Sequence, residues 1–513
     1  MPSPSPLAEP WMRGVAANAA APSDVLIRLL DPAGRAAWQT LCEGRGLPGD
    51  VVDAVIRHPD LVVRRAFARN PHVDPPQRGR MVRGPSAWVR GNLAGGPHPR
   101  PRRAKPLPDD ILEALLTARD SSHDGFLTDA EIVQELEFSR QISRSFRHRM
   151  PEHENPVLRA IGTGMWHALR PAQRAALLDD PDPDVRDAAL ARNRELDPAA
   201  MEADLPERDG HYRLMLLMHF AVSRAVVEAC LADRRNVSAL AYNPHTPPDA
   251  VERLARDPDP EVRAVVAARA DLDASLLAEL AEDPDETVRT RARVHPLPRT
   301  WAQRGAIDQV IGHHTERCLC PISEPSDEPD ADWYRACAMS EQAVLRRVAA
   351  SYPALPEDLV KRLADDADPE VRHRLACYHP LAPPALLLDT FLARPRQRPH
   401  LLTLPQLPRT GLRHLLGHDD PEVRALAAAD TTLEQAPVQL LTDPDERVRR
   451  VAAASPLLPE EMLAALLDDP ATAEGAAANP NLPAARLHDL LDRAGVPGRG
   501  AASDRRPERR PGR

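Results

Sequence analysis

The sequence predicts an all-α protein, a solenoid of two-helix units of about 25 residues each. Three observations carry that prediction. A short phrase containing Asp-Pro and Val-Arg keeps returning, it returns at a fixed period, and the apolar residues around it follow helical spacing rather than alternation.

The phrase reads "DPDPEVRAVVAARADL" from Asp257, "DPDETVRTRARVHPL" from Asp283 and "DADPEVRHRLACYHPL" from Asp366. Aligned on Val-Arg, its arginines are Arg186, Arg263, Arg289, Arg372, Arg424 and Arg449. Arg263 to Arg289 is 26 residues and Arg424 to Arg449 is 25, while Arg372 to Arg424 is 52, two periods with a degraded copy between. Val185 to Val237 is also 52.

Each unit has two halves. The first is "TPPDAVERLARD", with "LPEDLVKRLADD" and "LPEEMLAALLDD" as sister copies. A proline at the start suits a first helical turn, where a missing N–H costs nothing. Val251, Leu254 and Ala255 then share one face. The second half opens on "DPDPEVR". Asp259 is placed to cap exposed N–H groups, Pro260 to open the turn and Glu261 to meet the positive end of the helix dipole. Val262, Val265 and Val266 form a stripe at i, i+3, i+4. "NP" or "HP" ends the helix, as at Asn243-Pro244, His295-Pro296 and His379-Pro380. Neither helix can bury its stripe alone, so neighbouring units must stack.

Asp180, Asp257, Asp283, Asp366 and Asp443 stand six residues before Arg186, Arg263, Arg289, Arg372 and Arg449; His418 takes the place before Arg424. One aspartate and one arginine per unit suit an Asp–Arg ladder between neighbours. The plainer alternative is an aspartate that ends a helix and an arginine that faces water. On either reading these residues are scaffold, and an exposed pair contributes only about 0.2–1 kcal/mol.

The unit "LP..LL..LA.DPD..VR..VA.NP" resembles the HEAT-like helical repeats, and more closely the bacterial leucine-rich repeat variant. The resemblance covers most of the chain, from "GVAANAAAPSDVLIRLLDP" to "AAANPNLPAARLHDLLDRAG". It implies an all-α, right-handed superhelix with the second helix of each unit towards the concave side. In the variant family the other element is a 3₁₀ helix; the segments here are read as α in both halves. Some members of that family carry an iron–sulfur cluster on N-terminal cysteines, but only Cys42 lies near the N-terminus here, so that feature does not carry over.

Composition narrows the function. A 513-residue chain exceeds one compact core, and 42% hydrophobic with 28% charged residues is not a disordered composition. Aromatics at 3% are few for an enzyme with a large packed pocket. A net charge of −10 disfavours coating nucleic acid. "MPSPSPLAEPWMRG" has no signal-peptide pattern, no apolar run is long enough for a membrane span, and six scattered cysteines fit a reducing cytoplasm. Only Lys105 and Lys361 are lysines, a bias typical of GC-rich coding and given no functional weight.

Six segments follow: repeats at 11–74, an irregular basic segment at 75–150, repeats at 151–296, an irregular repeat with a loop at 297–340, repeats at 341–494, and a Pro/Gly/Arg-rich tail at 495–513 expected to be disordered. Within the second, "DSSHDGFLTDAE" fits an EF-hand calcium loop, with Asp120, Ser122, Asp124, the Phe126 carbonyl, Thr128 and Glu131 as ligands and Gly125 at the sharp turn. It equally reads as a worn repeat boundary followed by a helix start, it has no second loop to pair with, and that reading is preferred. "HHTERCLC" gathers His313, His314, Cys318 and Cys320, with Cys337 further on, but Cys-x-Cys is not the usual zinc spacing. Cys230 and Cys377 fall on helix stripes as packing residues.

No nucleophile elbow, phosphate-binding glycine loop or His-Glu-x-x-His motif is present, and no enzyme is expected. The expected function is a cytoplasmic, non-enzymatic scaffold that grips a protein partner along an extended surface. The alternatives are an anionic or nucleic-acid ligand held by the arginines between Arg78 and Arg103 with Arg140, Arg144, Arg147 and Arg149, or a calcium-responsive adaptor using 120–131. No cofactor is expected apart from that calcium.

Overall fold

The computed structural model describes residues 5–84, 86–98, 105–118, 129–294, 300–311 and 331–498. Among these, the regular elements are helices and no strand occurs. The chain forms two compact units: Met1–Ser143 with Pro384–Arg513, and Arg144–Pro383.

In the second unit the repeat is plain. Helix Pro248–Ala255 is followed by Pro260–Ala267, then Ala274–Ala281 and Glu286–Val294. Each second helix starts where the sequence expects. Asp259 accepts from the Glu261 N–H at 2.9 Å, and Asp182 and Asp368 accept in the same way from Asp184 and Glu370. Val251, Leu254, Val262, Val266, Leu277, Leu280 and Val288 fuse into one core that runs through successive units. Val265 is only half-buried, whereas Ala264 and Ala267 are buried. The second helices lie side by side, and short alanines let them approach.

Helices Glu357–Ala364 and Glu460–Leu467 bear out α geometry for the first half of their units. Elsewhere the first half is a 3₁₀ helix, at Arg413–Leu415 and Val438–Thr442, which corrects the expectation of α geometry in both halves there. In the second of these only five residues lie between Pro437 and Asp443, against eight between Pro459 and Asp468.

The first unit holds the largest departure from a simple row of repeats. Helix Ala8–Ala17 packs on helix Ala473–Ala477, and Ser23–Arg28 meets Ala484–Arg493. Gly14 makes the approach possible: a Cβ there would stand 2.2 Å from the Glu474 carbonyl oxygen and 2.6 Å from Ala477 Cβ. One unit earlier, Gly475 fits against Arg450 and Ala453 in the same way. Trp11, 1% exposed, donates from Nε1 to the Leu467 carbonyl at 2.8 Å, and Arg493 covers its ring at 4.2 Å. Arg28 is buried and donates to the Pro497 and His488 carbonyls, and it pairs with Asp492. Residues 8–28 therefore stack on residues 467–497 as one repeat stacks on its predecessor.

Asparagine side chains show that the likeness extends to individual bonds. Asn70 donates its amide to the Cys42 and Arg45 carbonyls, Asn243 to Leu217 and Phe220, and Asn479 to Ala453 and Ser455. Asn18 makes the same pair of bonds to Ala477 and Asn479, at 3.2 and 2.6 Å. Arg45 then reaches back to Ala16 and Asn18, so the series of rungs continues through the join. All four asparagines are fully buried.

Candidate functional site

The recurring aspartates and arginines meet at the turn that opens each second helix. Arg263 extends forward to the next unit and grips Asp283 with two parallel bonds, Nε to Oδ2 at 2.8 Å and Nη2 to Oδ1 at 3.0 Å. Its Nη1 donates backward to the Asp257 and Pro258 carbonyls of its own turn. One arginine thus ties two turns together. Arg424 does the same with Asp443 forward and the His418 and Asp419 carbonyls behind. Arg346 pairs with Asp366, and Arg159 with Asp180. Asp257 is held by Arg234, a residue with left-handed backbone at φ 56°.

The aspartate and the arginine six residues after it meet differently. Arg186, Arg289, Arg372 and Arg449 donate to the carbonyl oxygens of Asp180, Asp283, Asp366 and Asp443. The carboxylates of those aspartates belong to the arginine of the preceding unit, or in part to their own turn, as when Asp366 accepts from the Asp368 N–H. These forked, mostly buried bonds are stronger in kind than exposed pairs. At Asp180, Asp283 and Asp443 the arginine bond outweighs burial and holds the carboxyl below its ordinary 3.8. At Asp257 and Asp366 burial is the largest influence and opposes, but the arginine bond, a turn N–H and nearby guanidinium charge together still lower the pKa.

Arg159 and Arg346 belong to the same series, although alignment on Val-Arg does not find them. Arg159 and Arg346 follow leucine instead of valine, and Arg424 follows His418 at the place of the aspartate. The useful signal was the spacing of 19 to 21 residues forward from arginine to the next aspartate, as in Arg424–Asp443 and Arg159–Asp180.

Of the calcium-loop residues, Asp120, Ser122, Asp124, Phe126 and Thr128 lie outside the described residues; Glu131 is exposed on helix Asp129–Phe138. His313, His314, Cys318 and Cys320 also lie outside them, while Cys337 is buried in helix Ala331–Met339. Among the described residues no group of three or more His, Cys, Asp or Glu side chains is placed to hold a metal. Cys230 and Cys377 are buried, and Cys377 Sγ lies 3.7 Å from His373 Nδ1, both within one helix and away from solvent. Burial pushes the Cys42 and Cys337 thiols up to about 12. A shallow, open hollow is lined by Pro151, Glu152, Arg170 and Gln173, with Gln173 donating to Glu152 at 2.7 Å on its wall.

Among the described residues of the basic segment, the arginines differ in exposure. Arg78 is 2% exposed, and Arg90 is buried. Arg80 pairs with Asp53, and Arg149 lies over Phe146. No described helix is long and apolar enough to cross a membrane.

Residues 238–259 match the family model described as leucine rich repeat variant, a HEAT-like helical repeat family. No curated protein matches the chain.

Proposed function

We propose that this chain, with its leucine rich repeat variant at 238–259, is a non-enzymatic scaffold that binds a protein partner. In this reading its units follow a right-handed superhelical path, and the partner lies along exposed positions of successive second helices. The observation that carries it is the tying of turn to turn. Arg263–Asp283, Arg346–Asp366 and Arg424–Asp443 repeat one geometry, which holds neighbouring helices in fixed register. Fixed register makes a row of side chains a rigid ruler, and many weak contacts along it add without a large ordering cost. Burial of Arg78 and Arg90 removes two of the arginines that a nucleic-acid surface would need.

The test is capture of a partner on the full chain followed by chemical cross-linking and mass spectrometry. Cross-links spread over the second helices of several units support the reading. Captured nucleic acid, released steeply by salt, overturns it.

A further inference from the structure

One unit carries the arginines of the pattern without its aspartates. The segment "VVRRAFA" around Arg64-Arg65 aligns without a gap on "VLRRVAA" around Arg346-Arg347. Twenty residues on from Arg346 stands Asp366, and two further Asp368. The same steps from Arg64 reach Gly84 and Ser86. The backbone confirms the alignment. Arg372 donates Nη1 to the Asp366 carbonyl, and Arg90 donates Nη1 to the Gly84 carbonyl at 3.0 Å.

The contrast lies in what the arginines meet. Arg346 forks onto the Asp366 carboxylate at 2.6 and 3.0 Å, and Arg347 takes Asp368 at 2.9 Å through Nε. Neither Arg64 nor Arg65 meets a carboxylate among the described residues, and Arg64 Nε is sheltered from solvent with no partner. A Cβ at Gly84 would stand 3.4 Å from Arg64 Nη1, the place an aspartate would fill. Gly84 has ordinary extended backbone, φ −76° and ψ 148°, so nothing in its conformation requires glycine. Ser86 makes no side-chain cap on helix Ala87–Gly95, whereas Asp368 accepts from the Glu370 N–H at 2.7 Å. Arg65 lies 4.7 Å over the Trp88 ring, which holds its guanidinium in place.

We propose that this notch binds an acidic peptide segment of the partner, with two carboxylates two residues apart occupying the places that Asp366 and Asp368 hold in the sister unit. The inference rests on the protein-binding reading and names the chemistry of one contact. Two separated carboxylates match two arginines whose counterparts, Arg346 and Arg347, each hold one. A helix N-terminus with no side-chain cap adds an N–H donor to the nearer carboxylate. Arg64 would be the anchor and Arg65, on Trp88, the second grip.

The probe is a labelled peptide DADPEVR, the chain's own residues Asp366–Arg372, titrated onto full-length protein at low salt. The intact protein should bind it, and the same peptide with both aspartates changed to asparagine should not. Gly84→Asp with Ser86→Asp, which fills the notch from within, should weaken binding about tenfold or more. Arg64→Gln with Arg65→Gln should do the same, and it serves if the first variant folds poorly. Equal affinity in the intact and both substituted proteins overturns the proposal, as does a single-stranded oligonucleotide that outcompetes the peptide at this site. If these variants bind the peptide as well as the intact protein while the cross-linked partner still spans several units, only the notch is wrong. If no protein partner is captured at all, the broader reading falls with it.

Discussion

The join between residues 8–28 and 467–497 predicts that Asn18 behaves as an interior residue. Asn18→Ala removes two bonds from Nδ2, to the Ala477 and Asn479 carbonyls, and leaves the Ala20 N–H without its acceptor at 2.9 Å. Asn70→Ala removes the matched set: two carbonyls, Cys42 and Arg45, and the His72 N–H. Both side chains are 0% exposed. A buried polar group stripped of its partner costs about 1–3 kcal/mol, and water reaches some of the released groups, so each substitution should cost about 2–4 kcal/mol. Two compact units make a single unfolding free energy ill-defined, so the readout should be local. Hydrogen exchange at the amides of Ala8–Ala17 reports the stability of the join directly. Asn18→Ala should speed that exchange by a factor of about 30 or more, the equivalent of about 2 kcal/mol. Unchanged exchange there, together with clear destabilisation by Asn70→Ala, would refute the join.

Acid should loosen the turns. The ladder carboxylates have folded pKa values below 3.8, so near that pH the unfolded chain binds more protons. Their contribution is therefore full above the unfolded pKa and is lost as pH falls through the folded one; a melting temperature that stays flat down to pH 2 would contradict this. Arg78→Met should change the stability of the first unit by no more than about 1 kcal/mol, because it removes a buried guanidinium whose Nε and Nη1 have no partner but also the Nη2 bond to Gln141 Oε1 at 3.0 Å; a melting temperature lowered by many degrees argues against it. Cys42 and Cys337 should resist alkylation in the native protein and label fully in denaturant, read residue by residue by mass spectrometry; rapid native labelling at either would show that the burial is wrong.

The second helices were legible because each carries its own start. Pro260 and Asp259 announce a helix whatever surrounds them, and the period then repeats the statement. The partner of each aspartate was harder to read. Asp283 has an arginine of the series on either side, so sequence separation alone cannot say whether it serves Arg289 in its own turn or Arg263 in the unit before. Only the fold shows that the carboxylate goes to one and the carbonyl to the other. Asn243 reads as part of a helix stop signal, yet it carries bonds between units, as Asn70 and Asn479 do. The vacancy at Gly84 was masked by composition. The segment drew notice for its many arginines, when the informative fact was two missing aspartates opposite two of them. The join itself left no local trace, since residues 8–28 and 467–497 each look like an ordinary worn copy.

Trp11 and Leu467 are 456 positions apart, and Asn18 and Asn479 are 461. Closing so long a loop costs little more at equilibrium than closing a short one, because the entropy grows only with the logarithm of length. Time is another matter. During synthesis helix Ala8–Ala17 leaves the ribosome far ahead of the surface it is built to cover, at about 5–20 residues per second, so Trp11 must wait tens of seconds in water. Helix Ala8–Ala17 thus emerges long before the surface that seats it, and what shields its apolar side in the interval governs how much of the chain escapes aggregation.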